Sequence, residues 1–272
     1  MAGEDRRPIA LFVPRLNGGG AQRVVVRLAN EFTSMVDTPI HVVLVRKEGP
    51  FVRELVPEVR IVELGAKRTS RAVFSLARYL RSERPIVTVS SLNYANVVCL
   101  IAHRLAGRPG RIVVREDNVV LPPSGRWTER FQQSIRTQLM RWLYPSADAV
   151  VALSEEVLAT MLEAGIRIAD TAVTIANPVN VDFGAEGSGP TGLGLTEGTR
   201  YVCAVGRLTR QKGFDVLLDA FSRVRDDDLH LVIVGEGERR SELERQVEVL
   251  GITDRVHMPG FVDDVAGVMR GS

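Results

Sequence analysis

The chain has 272 residues, of which 45% are hydrophobic, 25% are charged and 6% are aromatic. This composition is typical of a globular protein, because disordered chains contain fewer apolar residues and membrane bundles contain fewer charges. The polar start of the chain, Met1 to Pro8, predicts that no signal peptide is present. Cys99 and Cys203 lie far apart in apolar surroundings, so we expect free buried thiols in a reducing compartment such as the cytoplasm.

The two parts of the chain carry opposite charge although the net charge is only +2. Residues 1–145 hold 23 Lys and Arg against 12 Asp and Glu, whereas residues 146–272 hold 12 against 21. Such a split predicts two lobes with different partners, unless arginine is simply the preferred basic residue of this chain. An anionic surface, either acidic lipid or nucleic acid, would suit the first lobe.

Short apolar strands alternate with helical segments along residues 1–182. The predicted strands are Ile9–Val13, Ile40–Val45, Arg60–Leu64, Ile86–Val89, Arg111–Arg115, Ala149–Leu153 and Ala172–Ile175. The predicted helices are Ala21–Thr33, Arg71–Arg84, Asn93–Ala106, Trp127–Tyr144 and Ser154–Ala164, with Ser154 as the cap of the last. Continuous apolar strands alternating with helices indicate a parallel sheet covered on both faces. The first lobe is therefore predicted to be a doubly wound α/β domain of about seven strands.

The helix predicted over Trp127–Tyr144 has one apolar stripe with arginines between its members. The stripe consists of Trp127, Phe131, Ile135, Leu139 and Trp142, and the arginines are Arg130, Arg136 and Arg141. We expect this stripe to pack in the core, with docking on a membrane as the alternative.

A glycine-rich segment separates the two lobes. Residues 183–199 are poor in apolar side chains and predict a linker or exposed loop. Residues 200–272 then repeat the alternation, with strands at Tyr201–Val205, Leu229–Val234 and Val256–Met258 and helices at Phe214–Val224 and Arg239–Leu250. Three strands make a thin core, so we expect this second lobe to be incomplete or to lean on the first.

Three loops that follow strands are candidates for ligand binding, because open α/β sheets bind ligands at the carboxyl ends of their strands. Gly18 to Gly20 precede a helix and suit a phosphate, although a tight turn explains them equally well. This run matches neither the dinucleotide fingerprint nor a P-loop. Arg207 and Lys212 follow another strand, and Gly213 opens the next helix, which favours a diphosphate site over solvated loop charges. Residues 235–238 form a third loop, for which a simple turn is equally plausible.

Several acidic pairs are weaker candidates. Asp226 to Asp228 lie between a helix and a strand, at the wrong edge of the sheet, and predict a solvated turn. Asp263 and Asp264 predict a helix start. Glu116 and Asp117 follow a strand of the first lobe and predict a structural cap, with contact to substrate as the alternative. We expect no metal site.

Three blocks of the second lobe closely resemble the donor domain of GT-B retaining glycosyltransferases of the glycosyltransferase-group-1 type. The blocks are residues 206–221, residues 231–237 and residues 256–264, of which the first is the most specific. Asn17 to Val26 and Ile175 to Val179 also match the pattern of this family. The resemblance implies two doubly wound Rossmann-like lobes, the first for the acceptor and the second for a nucleotide-diphospho-sugar donor. It also implies metal-independent transfer of the sugar.

The resemblance assigns roles to individual positions. Arg207 and Lys212 would bind the donor diphosphate and offset the charge that builds on the leaving group. Gly19 and Gly20 would close on the phosphates and the sugar. Glu236 and Gly237 would lie near the nucleotide, and the backbone of Val262 would contact the base.

The sequence departs from the family pattern in two places. Asp117 stands at or beside the position where many members carry a histidine that faces the reacting sugar. The pair of glutamates eight residues apart that binds the sugar and the ribose does not follow Phe261. The resemblance therefore implies a C-terminally truncated chain, and we expect negligible sugar transfer by these 272 residues alone.

Two alternatives to the enzyme remain open from the sequence. The missing segment favours a non-catalytic nucleotide-binding or interaction module, whereas a nucleic-acid binder is disfavoured because no nucleic-acid motif is present. For the enzyme, the basic first lobe predicts a lipid-linked or other anionic acceptor. It also predicts a cytoplasmic location, peripheral on the inner face of the plasma membrane.

Overall fold

The computed structural model describes residues 7–17, 19–120, 127–168, 171–178, 193, 195–196, 198–262 and 265–272. The chain divides into two units, Met1–Pro178 and Val179–Ser272. Most of the predicted linker lies outside the described residues. At its end, Leu193 and Leu195 are buried among the apolar side chains of the second unit.

The described residues of the first unit form strands that alternate with helices, as the sequence predicts. The strands are β1 (Ile9–Val13), β2 (Ile40–Leu44), β3 (Arg60–Glu63), β4 (Val87–Ser91), β5 (Arg111–Glu116), β6 (Ala149–Ala152) and β7 (Ala172–Thr174). The helices are α1 (Gly20–Met35), α2 (Val73–Glu83), α3 (Asn93–Leu105), α4 (Trp127–Leu143) and α5 (Glu155–Glu163). Ser154 caps α5 by accepting a hydrogen bond from the backbone N–H of Val157, 3.3 Å away.

These seven strands pair in parallel in the order β3-β2-β1-β4-β5-β6-β7. Both faces of the sheet are covered: Ala10 and Phe12 of β1 contribute to one apolar cluster, and Leu11 and Val13 contribute to the other. The order reverses between β1 and β4, which is where an open α/β sheet leaves a crevice at the carboxyl ends of its strands. The prediction of a doubly wound α/β domain is therefore confirmed.

The second unit contains a smaller parallel sheet. Its strands are β8 (Arg200–Val205), β9 (Leu229–Val234) and β10 (Val256–Gly260), paired in the order β10-β9-β8. Its helices are α6 (Phe214–Phe221), α7 (Arg240–Val249) and α8 (Val265–Arg270). One apolar cluster packs Phe214 and Leu218 of α6 against Leu231 and Ile233 of β9, and a second cluster covers the other face of β9.

Two predictions of burial are wrong. Trp127, Phe131, Ile135 and Trp142 of α4 are 76%, 54%, 45% and 69% exposed, so these four members of the stripe are not core. Instead α4 buries Met140 and Leu143, which lie on the other side of the helix. The fifth member, Leu139, packs against the core as expected. Cys99 is buried as expected, but Cys203 is only half-buried.

Candidate functional site

The loops that follow β8 and β9 are tied together by backbone hydrogen bonds. The N–H of Leu208 donates to the carbonyl of Glu236 at 2.9 Å, and the N–H of Arg239 donates to the carbonyl of Leu208 at 3.1 Å. Leu208 is fully buried beneath this junction. Glycine is required here, because a Cβ on Gly235 or Gly237 would lie less than 3.0 Å from the backbone of the facing loop.

The two predicted cations, Arg207 and Lys212, both belong to the loop that follows β8. The side-chain carbons of Lys212 lie beside Gly206, since a Cβ on that glycine would be 3.5 Å from Cδ of Lys212. Gly213 then adopts a left-handed conformation, with φ of 65°, and opens α6 without any side-chain cap. Arg207 and Lys212 are exposed, and neither has an ion-pair partner among the residues that the structure describes.

Several anionic side chains of the same region are already paired. Arg240 binds Glu236 at 2.6 Å and also donates to the carbonyl of Met258 at 2.7 Å, which fixes the β9 loop against β10. Arg239 pairs with Asp215 in the first turn of α6 and with Glu242. Arg207 and Lys212 take part in none of these ion pairs.

Val262 is half-buried just after β10 and packs against the cluster around Val232 and Val234. Asp263 and Asp264 lie outside the described residues, so the predicted helix start is not described. Asp226 binds Arg200 at 2.6 Å in the turn before β9, which confirms a structural turn.

In the first unit, Gly19 and Gly20 open α1 as predicted. Gly19 is the N-cap and has an extended conformation, and no acidic side chain lies in the first turn of the helix. The amide oxygen of Gln22 lies over Gly19, whereas a Cβ placed on Gly20 would meet no atom within 4 Å. The free N–H groups at this helix start therefore face an accessible surface with the positive end of the helix dipole.

Glu116 and Asp117 lie at the carboxyl end of β5 and do not cap a helix in the way the sequence predicts. Glu116 is fully buried and accepts hydrogen bonds from the amide of Asn96, at 2.8 Å, and from the hydroxyl of Tyr144. Asp117 forms an ion pair with Arg115, which is itself only 5% exposed and donates to the side chain of Asn177. This network joins β5, α3 and the segment after β7.

Burial changes the protonation of both carboxyl groups. Desolvation raises the pKa of Glu116 to about 7, although the hydrogen bonds from Tyr144 and Asn96 lower it in part. Desolvation also raises the pKa of Asp117, and the charge of Arg115 acts in the opposite direction. Glu116 is therefore poised to hold or release a proton near neutral pH.

Sequence reasoning did not select Arg115, Asn96 or Asn177 as functional candidates. Arg115 follows the apolar run of residues 112–114 within β5, and Asn96 is the first polar side chain after Tyr94 on an apolar helix. Polar residues inside apolar runs are the signal that would have indicated a buried network.

The described residues contain no group of three or more metal-ligating side chains. Within the same residues, no helix combines the length and the apolar run that crossing a bilayer requires.

The fold, with its two parallel sheets covered by helices, is that of the GT-B glycosyltransferases. The family model described as "Glycosyl transferase 4-like domain" matches residues 19–178, and the model described as "Glycosyl transferases group 1" matches residues 191–272. The chain therefore belongs to the glycosyl transferase 4-like and group 1 family, and it is a glycosyltransferase of the hexosyltransferase type.

Curated relatives support this assignment. The chain is 24% identical over 265 residues to N-acetylgalactosamine-N,N'-diacetylbacillosaminyl-diphospho-undecaprenol 4-alpha-N-acetylgalactosaminyltransferase of Campylobacter jejuni, covering 93% of this chain and 69% of the relative. It is 28% identical over 181 residues to 2-deoxystreptamine glucosyltransferase of Streptomyces kanamyceticus, covering 62% of this chain and 46% of the relative. The chain thus spans about two thirds of the length of the first relative and about half of the length of the second.

The fold is shared with solved structures. Alr3699/HepE of Anabaena, solved in complex with UDP and glucose, has a TM-score of 0.75 at 19% identity, covering 97% of this chain and 72% of that protein.

Proposed function

We propose that the second unit binds the diphosphate of a nucleotide-sugar donor between Arg207 and Lys212. The observation that carries this proposal is that Arg207 and Lys212 are exposed and have no ion-pair partner among the described residues, in the loop that leads from Gly206 to the uncapped start of α6. Guanidinium and ammonium groups bind phosphate oxygens through charge-assisted hydrogen bonds. The presence of UDP in the complex of Alr3699/HepE supports the same ligand chemistry.

Arg207 and Lys212 would also act in the chemical step. As the bond between the sugar and the diphosphate breaks, negative charge grows on the leaving phosphate, and two fixed cations stabilise it in place of a metal ion. Losing one preorganised group of this kind typically lowers the rate by ~10²–10³-fold. We infer that transfer is metal-independent and retains the configuration of the sugar, as the family resemblance implies.

The remaining candidate residues receive supporting roles in this proposal. Gly19 and Gly20 offer free N–H groups to the phosphates and the sugar of the donor. Glu236 and Gly237 lie near the nucleotide, and the backbone of Val262 contacts the base. Asp117, whose pKa is raised by burial, faces the reacting sugar.

The acceptor is proposed to be lipid-linked, a precursor of a cell-envelope polysaccharide or glycolipid. The Campylobacter relative carries diphospho-undecaprenol in the name of its substrate, and residues 1–145 of this chain have a net charge of +11. The exposed aromatic side chains of α4 add a surface for this substrate. Trp127 and Trp142 are exposed, and the guanidinium of Arg104 lies 4.8 Å from the ring centroid of Trp142.

Exposed tryptophans beside arginines are the composition of a surface that binds anionic membranes. We therefore propose that the protein works in the cytoplasm, on the inner face of the plasma membrane.

Isothermal titration calorimetry with UDP and GDP tests the donor site. Arg207→Ala and Lys212→Ala should each weaken binding by ~1.5–3 kcal/mol, as expected for a hydrogen bond to a charged group. Arg225→Ala is the matched control, because Arg225 is also exposed but lies before β9, away from the carboxyl edge. Affinity that is unchanged in both site variants would contradict the proposal.

A further inference from the structure

A second cationic site lies in the first unit. A pocket of about 360 Å³ opens at the carboxyl ends of the strands around the switch point between β1 and β4. Its charged lining residues are Arg15, which follows β1, and Lys67 and Arg68, which follow β3. Tyr94, at the start of α3 beyond β4, closes the other side.

The charged side chains that are described as lining this pocket are all positive. No carboxylate is among the described residues that line it, which argues against a metal ion as the ligand. Lys67 and Arg68 are exposed and have no ion-pair partner within the described ranges. Arg15 contacts Glu48 at 3.5 Å, but Glu48 is shared with Arg46 at 2.9 Å, so Arg15 keeps donors available.

The backbone that carries these cations is anchored in the core. Ala72, which ends the short turn after Arg68, is fully buried, and the N–H of Arg71 donates to the carbonyl of Arg68 at 3.0 Å. The Arg15 segment is fixed because the N–H of Leu16 donates to the carbonyl of Glu48 at 3.0 Å. Cations on anchored backbone lose less entropy when they bind an anion than cations on a free loop.

We propose that this pocket binds the phosphate groups of the acceptor. The argument is the convergence of three cations in one pocket at the carboxyl ends of β1 to β4, next to the switch point where doubly wound sheets bind their ligands. Polar side chains supply further hydrogen bonds, since Asn17, Gln22 and Thr69 also line the pocket. The inference rests on the proposed function, because it assigns a chemical class to the acceptor of the same transfer reaction.

The test separates this pocket from the donor site by using variants of the whole chain. In the Arg207→Ala/Lys212→Ala background, where the proposed donor site is absent, we expect inorganic pyrophosphate still to bind in calorimetry. Adding Lys67→Ala/Arg68→Ala should weaken that binding at least tenfold. Adding Arg53→Ala/Arg78→Ala is the matched control, because these two arginines are exposed in the same unit and do not line the pocket.

The Lys67→Ala/Arg68→Ala pair is also made in the otherwise unchanged chain, where UDP affinity should be preserved. Pyrophosphate that binds equally well with and without the pocket cations would overturn the inference. The donor-site proposal fails separately, by unchanged UDP affinity in Arg207→Ala and Lys212→Ala.

Farnesyl diphosphate provides a second arm that identifies the source of the phosphate. Tighter binding of farnesyl diphosphate than of pyrophosphate, lost with Lys67→Ala/Arg68→Ala, would support a lipid-linked diphosphate. Equal binding of both probes, lost in the same way, would support recognition of the phosphate groups alone. If both probes still bind after Lys67→Ala/Arg68→Ala, the proposal that this pocket binds phosphate groups is contradicted.

Discussion

Glu116 is a carboxyl group buried in a polar network, and its protonation should influence the stability of the first unit. Asn96 and Tyr144 hold it by hydrogen bonds, while Asp117 and Arg136 act on it by their charges. Its pKa in the folded state is about 7, above the ordinary value of 4.5, so the folded state keeps this proton after the unfolded chain has lost it. The stabilisation is complete below the ordinary pKa and is lost as the pH rises through 7.

Glu116→Gln should remove this dependence on pH, because glutamine is neutral throughout. The free energy of unfolding of the variant relative to the unchanged protein should rise between about pH 5 and about pH 8, by up to ~3 kcal/mol. Chemical denaturation at a series of pH values measures this difference. Glu163→Gln, at an exposed position of α5, is the control and should show no such trend. A constant difference for Glu116→Gln would contradict the assignment.

The positions of Arg207 and Lys212 in the loop after β8 were predictable, whereas the buried network around Glu116 was not. Arg207 and Lys212 follow a recognisable strand and precede a glycine that opens a helix, so local pattern alone indicates their position. Arg115 reads as the charged end of a strand. In the structure Arg115 donates a hydrogen bond to Asn177, which lies 62 residues further along the chain. Only the folded sheet brings these two side chains together.

At the scale of elements, Gly235 allows the loops after β8 and β9 to pack directly against each other. Its φ is 139°, and a Cβ there would lie less than 3.0 Å from the carbonyl oxygen of Gly206. Gly235→Ala should therefore destabilise the second unit by ~2 kcal/mol or more and weaken UDP binding.

Gly251→Ala is the control for this prediction, because Gly251 also has a positive φ, of 68°, but has open space around it. Thermal unfolding and calorimetry compare the two variants. Equal melting temperatures for both would show that the close approach of the two loops is not required.

The exposed stripe of α4 should bind anionic membranes. Trp127→Ala/Trp142→Ala should lower sedimentation with liposomes that contain acidic lipid, because the large aromatic rings contribute most of the apolar surface of the stripe. Phe74→Ala is the matched control, since Phe74 is 78% exposed but lies on α2. Sedimentation that does not depend on acidic lipid would remove the membrane proposal.

This helix shows what sequence periodicity does and does not determine. The spacing of Trp127, Phe131 and Ile135 predicts a helix with an apolar face, and the structure confirms the helix. Periodicity does not state whether another element covers that face. In α4 the side that carries Met140 and Leu143 packs into an apolar cluster that also contains α3, and the more aromatic side is left exposed.

At the scale of the whole molecule, most of the architecture was predictable from the alternation of strands and helices. The seven strands of the first unit, the three of the second and the parallel class all follow from apolar runs separated by amphipathic segments. The strand order required the structure, because pairing depends on how helices fill each face. The burial of Leu193 and Leu195 was also missed, since glycines dominate the surrounding segment.

The central claim is that Arg207 and Lys212 bind the diphosphate of the donor, and a crystal structure of the chain with UDP tests it most directly. We predict the guanidinium of Arg207 and the ammonium of Lys212 within about 3.2 Å of diphosphate oxygens. Bound UDP whose diphosphate contacts neither group, with both side chains turned to solvent, would contradict the account.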